Sequence, residues 1–400
     1  MKKTILIFLF FQIAVNTSVF SQEEFVKPQS KFLTKFSFST LSGGIIIVKA
    51  GIDNFPDSLN FVFDTGSGGI SLDSLTAAEL HIATQKTDRT VRGIAGLKKV
   101  DFAFNHALRL PGLMVDSLDF HINNYELLSS VYGVRIDGII GFSFLKRYIV
   151  KVDFEHYVIE VHSPGYIKYP KGGYLLHAGF NSLPYHSVTI EGNATINGKF
   201  ILDTGAGLCV LFSQDFVDDS LPLNKKYKIF ATQTEGIGGK KEMGLTIAQS
   251  VRFGPYRFKK VPAYIFNDEY NVTSYPFFDG VIGNDLMRRF NIIINYPDQI
   301  FYFKPNIHFG DFFDYSYTGL GIYDIDGDVK IIDIIPNSPG DKAGLKENDI
   351  ILAIDNNISK NIQTYKTLLQ NANSVVKLLI LRNNQPLEIN LKIKNILKRK

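Results

Sequence analysis

The tripeptide Asp-Thr-Gly occurs twice, as Asp64, Thr65, Gly66 and as Asp203, Thr204, Gly205, each time at the end of a short apolar run, Phe61-Val62-Phe63 or Phe200-Ile201-Leu202. Two carboxylates in matched settings point to an acid–base pair. Brought within hydrogen-bonding distance, such a pair cannot easily ionise twice, so it titrates in two steps and holds one shared proton over a range of pH. One copy alone reads equally well as a surface β-turn, because Asp, Thr and Gly all favour turns. At ordinary abundance a specified tripeptide should appear on the order of 0.1 times in a chain this long, so two copies in matching context ask for a common cause.

Other chemistry finds little support. The eight His residues form no HExxH or other i, i+4 pair, which argues against zinc. Gly141-Phe142-Ser143-Phe144-Leu145 lacks the second Gly of a nucleophile elbow, and neither a Walker motif nor a dinucleotide fingerprint occurs. No metal or cofactor is implied.

The elements around the two motifs repeat. Ile45 to Val48 and Leu59 to Phe63 flank a loop with Asn54, Pro56 and Asp57, which predicts a hairpin feeding the first Asp; Ser187 to Ile190 and Lys199 to Leu202 do the same for the second. Glycine-rich tips follow, Gly93-Ile94-Ala95-Gly96 and Gly236-Ile237-Gly238-Gly239, suited to mobile hairpins. Asp137-Gly138-Ile139-Ile140-Gly141 then matches Asp279-Gly280-Val281-Ile282-Gly283. Short helix-like stretches come next, 144–147 and 286–289, and closing strands at 149–154 and 292–296. The offset between copies barely drifts, as expected of an internal duplication of a mainly β unit over 35–165 and 175–305. Residues 317–395 differ in pattern, with β runs at 329–335 and 375–381 and a helix expected over 364–371, and read as a separate α+β module.

Composition allows this architecture. The 400 residues exceed one typical core, and 45% hydrophobic content with 20% charge is ordinary for globular chains. A formal charge of +4 is too small to argue for nucleic acid. The start reads as an export signal over 1–21: Lys2 and Lys3, an apolar stretch from Ile5 to Val15, then Val19 and Ser21 placed for cleavage. That stretch falls short of the ~20 residues a membrane span needs. With one cysteine, Cys209, an exported chain has no internal disulfide and relies on core packing. Cys209 itself reads as a small buried hydrophobe.

The doubled Asp-Thr-Gly, the glycine tips and the doubled apolar-apolar-Gly blocks resemble the aspartic proteases over about residues 35 to 305. The tips are similar to retroviral flaps, and two halves fused in one chain are pepsin-like. The resemblance implies a mainly β, bilobal, double β-barrel-like fold in which Asp64 and Asp203 form a catalytic dyad. Thr65 and Thr204 would bond across the lobe interface, Gly66 and Gly205 would let the backbone turn beneath the carboxylates, and Ile139 to Gly141 with Val281 to Gly283 would pack behind the loops. It also makes the glycine tips flaps, although neither carries the Tyr of pepsin-type flaps. Ser67 follows the first motif and could give a hydroxyl hydrogen bond to a carboxylate, whereas Ala206 cannot, so the two acids are expected to titrate differently.

Tyr317 to Ile322, the block Ser338 to Lys346 and Asp349 to Asp355 together resemble a bacterial-type PDZ domain. In that family the loop matching Gly319, Leu320 and Gly321 presents N–H groups to a peptide's terminal carboxylate, and the peptide adds a strand to the sheet edge. A module that only packs on the body is the bland alternative. The combined expectation is an exported, monomeric endopeptidase of the periplasm or extracellular space, acting on proteins or peptides. A non-catalytic peptide-binding protein using the cleft and the PDZ groove stands as the alternative.

Overall fold

The computed structural model describes residues 26–55, 58–93, 96–181, 183–224, 226–236, 239–270, 276–313 and 317–397. The expected export signal and the tip residues Ile94, Ala95, Ile237 and Gly238 lie outside them. The chain is mainly β, as the sequence predicts.

Each repeat closes into a six-stranded barrel. In the first, Ile46–Ile52 pairs with Leu59–Phe63, and the order runs on through Gly138–Ile140, Ile70–Asp73, Leu113–Asn123 and Phe102–Leu110, which returns to the first strand. In the second, Leu183–Glu191, Thr195–Asp203, Gly280–Gly283, Val210–Ser213, Tyr256–Phe266 and Gly239–Phe253 follow the same order and close the same way. The last three residues before each motif, Phe61 to Phe63 and Phe200 to Leu202, are all apolar because both faces are covered there. Phe61 and Phe63 join the large core, while Val62 between them packs with Ile45, Ile47, Tyr125 and Ile139. Phe200 and Leu202 likewise face the large core, and Ile201 faces Leu211 and Val281.

A six-stranded sheet ties the lobes together. Ile149–Asp153 of the first repeat pairs antiparallel with Phe290–Asn295 of the second, and the outer strands are Val158–His162, Phe32–Thr40, Ile300–Pro305 and Tyr174–His177. Pairing thus starts earlier than the expected bound at residue 35: Phe32 pairs with His162, and Gln29 bridges to Tyr166. Lys31, Thr34 and Lys35 break up the apolar signal of Phe32 and Leu33 at that end, yet the ladder continues because its bonds are backbone bonds.

The two short helices sit at Phe142–Leu145 and Asn284–Met287, two residues before their expected places. Both begin directly after the block glycine. The reason is local: the Phe142 N–H donates to Ser67 O (3.0 Å) and the Asn284 N–H to Ala206 O (2.7 Å), which fixes each first turn on the motif loop.

The C-terminal module is a five-stranded antiparallel sheet in the order Leu320–Ile325, Asp328–Ile334, Ile350–Ile354, Val375–Arg382, Gln385–Lys392, with helices at Pro339–Lys342 and Ile362–Leu368. The second helix starts before the expected residue 364 because the Asn361 side chain caps it, accepting from the Thr364 N–H (2.9 Å). The module is not self-contained. Leu245 and Ile247, from the long second-lobe strand Gly239–Phe253, are buried in its core with Leu320, Ile331 and Leu378. No helix among the described residues is long and apolar enough to cross a membrane.

Candidate active site

Asp64 follows the strand Leu59–Phe63, and Asp203 ends the strand Thr195–Asp203. Each motif strand runs parallel to a block strand, with Val62 opposite Ile139 and Ile201 opposite Val281. The Asp64 N–H donates to Ile140 O (2.9 Å), which fixes where the first loop leaves its barrel. The block residues therefore act as scaffold behind the loops.

The two threonines lock the loops together. The Thr65 hydroxyl donates to Leu202 O (2.7 Å) and accepts from the Thr204 N–H (3.0 Å). The Thr204 hydroxyl returns the pattern, donating to Phe63 O (2.9 Å) and accepting from the Thr65 N–H (3.0 Å). All four bonds are buried, where each is costly to lose.

The glycines bring the acids face to face. A Cβ on Gly66 would stand 2.3 Å from Asp203 Oδ2, and one on Gly205 would stand 2.5 Å from Asp64 Oδ2. The space a side chain would take is where the opposite carboxylate lies. Asp64 accepts from the Gly66 N–H (2.6 Å) and the Ser67 N–H, and Asp203 from the N–H groups of Gly205 (2.7 Å) and Ala206 (3.0 Å). The carboxyls also hydrogen-bond to each other.

This corrects one expectation. The Ser67 hydroxyl is not a partner of Asp64; the backbone N–H groups of the two residues after each Asp-Thr, Gly66 and Ser67 or Gly205 and Ala206, supply the donors on both sides. The Ser67/Ala206 difference therefore does not set the two acids apart. Crowding by neighbouring atoms raises Asp64 well above the usual carboxylate range, and the facing Asp203 charge pushes it the same way. Burial raises Asp203 as well. One proton belongs to the pair.

Two tyrosines missed in the sequence complete the setting. The Tyr296 hydroxyl donates to Thr65 O (3.1 Å), and burial plus both dyad charges push its phenol up. Tyr125 and Ser71 share a buried hydrogen bond of 2.7 Å, and burial holds the Tyr125 phenol at about 12. Neither tyrosine sits in a motif, so only the fold shows its place. Cys209 is buried, with Sγ 2.9 Å from Asp285 Oδ2 and its thiol pushed up by burial, which suits packing rather than attack.

Asp64 and Asp203 open into a cavity of about 450 Å³. The first tip caps the two-stranded ribbon Thr90–Gly93 and Gly96–Lys99, and Gly93 lines the cavity. The second tip joins Phe230–Gly236 to Gly239–Phe253, with Gly236 opposite Gly239, and Thr232 and Gln233 of that hairpin line the same space. Gly319, Leu320 and Gly321 line it too.

Family comparison agrees with this geometry. The aspartyl protease family matches residues 48–144 and 186–286, one segment around each Asp-Thr-Gly. The chain carries an aspartyl protease domain in two halves. A PDZ domain matches residues 330–382, within the C-terminal module; the loop at 319–321 precedes that match and joins the module through the strand Leu320–Ile325. No curated protein matches the chain.

Proposed function

We propose that this protease domain is an active endopeptidase in which Asp64 and Asp203 activate a water against a peptide bond. The observation that carries the reading is the mutual burial of two hydrogen-bonded carboxyls at the floor of an open cavity. In the singly protonated pair, the ionised acid takes a proton from water as its oxygen attacks the scissile carbonyl carbon, and the protonated acid gives its proton to the carbonyl oxygen. Collapse of the tetrahedral species breaks the C–N bond, with a proton passing to the leaving nitrogen. No acyl-enzyme forms. The chain works outside the cytoplasm as a monomer: its first 21 residues have the pattern of an export signal, and fused halves assemble both acids without a second copy. The PDZ domain recruits protein substrates.

The test is cleavage of an unfolded protein by the wild-type chain and by Asp64→Asn and Asp203→Asn. Each variant should lose activity by about 10²- to 10⁴-fold, the usual worth of a positioned acid or base. Equal products from all three would sink the dyad reading, and none from any would leave a peptide-binding protein instead.

A further inference from the structure

The PDZ loop and the dyad share one cavity, which a recruiting module tethered at a distance would not require. Its lining runs from Asp64 and Asp203, past Thr232 and Gln233, to Gly319, Leu320 and Gly321. At the loop end Leu320, Ile322, Ile335 and Leu369 form an apolar wall, sized by branched side chains for an aliphatic or aromatic residue.

The other way out of the loop is occupied. Leu320–Ile325 is an edge strand, where an extended ligand would add as a further strand. The first-lobe helix Glu126–Tyr132 lies against that strand, and the residue after it, Gly133, packs on Ile362 and Asp324 from the two walls of the groove. The groove helix Ile362–Leu368 is bound to the same segment. Gln363 Nε2 donates to Tyr132 O (2.8 Å), Lys366 Nζ donates to Val131 O (2.6 Å), and Gln363 Oε1 accepts from both the N–H and the hydroxyl of Ser42 at 2.8 Å. A chain that starts at the loop is thus turned away from the strand edge and along the cavity, toward the dyad.

Charge permits a carboxylate at that end. Lys366 and Arg92 bring positive charge to the cavity lining, and burial raises the Asp333 carboxyl opposite Gly321, which favours its neutral form.

We propose that the loop Gly319-Leu320-Gly321 and the dyad are the two ends of one substrate site, so that a polypeptide whose free, apolar C-terminal residue sits at the loop is cut a set number of residues upstream. This rests on the dyad reading and adds a substrate class to it: chains with accessible, apolar C-termini. The terminus, rather than the sequence around the scissile bond, fixes the place of the cut.

The test uses the wild-type chain, so folding of a variant does not enter. Three peptides are compared: one ending in Leu with a free carboxylate, the same peptide as its amide, and the same peptide extended by four residues that again end in Leu. Amidation should lower kcat/KM by roughly tenfold or more, the usual worth of hydrogen bonds to a charged group. The cut in the extended peptide should move with its new terminus. Equal rates for acid and amide, or a cut that stays at the same bond after extension, would overturn the proposal while leaving the dyad intact. Cleavage of an unfolded protein with none of any peptide would do the same, and cleavage of nothing would overturn both.

Discussion

At the scale of single residues, the account turns on how closely Gly66, Gly205 and the two carboxylates fit. A methyl group at position 205 would stand 2.5 Å from Asp64 Oδ2, so Gly205→Ala must push the acids apart. The expected outcome is a fall in kcat of at least about tenfold with the thermal midpoint shifted by only a few degrees, because the clash lies at the open cavity rather than in a core. Unchanged kcat would show that the carboxyls are farther apart than described. The raised acids also set a sign for stability. Groups whose folded pKa lies above the unfolded value contribute stability in full below the unfolded pKa and lose it as pH rises through the folded one. The wild type should therefore lose stability relative to Asp64→Asn as pH climbs from about 4 upward, measured as the difference in midpoints between the two proteins. A constant difference across that range would mean that burial does not strain the pair.

At the scale of elements, the four threonine bonds are the joint between the barrels. Replacing Thr204 with Val keeps the shape but removes the acceptor for the Thr65 N–H and the donor to Phe63 O. Leaving such buried groups unpaired costs about 1–3 kcal/mol each, so urea unfolding should show a loss of about 2–6 kcal/mol for the two; a neutral result would mean that the lobes are held by the shared sheet alone. Much of this scale was legible in advance. The hairpins at 45–63 and 187–202, the repeated blocks and the strand runs of the C-terminal module follow from apolar patterning that both-sided burial writes directly into the sequence. Helix boundaries were less legible, because the helices at 142 and 284 start on bonds to Ser67 and Ala206, residues distant in the chain. The role given to Ser67 failed because the backbone N–H groups after each motif already supply the donors, which the side-chain types do not reveal.

At the scale of the whole molecule, the lobes share the sheet through Ile149–Asp153 and Phe290–Asn295, and the PDZ domain shares its core with Leu245 and Ile247. No sequence pattern marks either junction, since a residue buried between domains has the same apolar character as one buried within its own. The consequence is cooperative. Calorimetry should give a single unfolding transition for the chain, with the PDZ domain melting together with the second lobe. Two well-separated transitions would mean that the PDZ domain is only tethered, and would remove the wall it gives to the cavity. Such docking also explains why a simple truncation after residue 316 is a poor probe: it would bare Leu245 and Ile247 to water.

The central claim is that Asp64 and Asp203 work as one unit, and steady-state kinetics of Asp64→Asn, Asp203→Asn and the double variant on one unfolded substrate tests it most directly. Residues that act as a unit are strongly non-additive. The account predicts that each single variant loses nearly all activity and that the double variant loses no more. Independent losses that multiply in the double variant, or a single variant that keeps wild-type kcat, would contradict it.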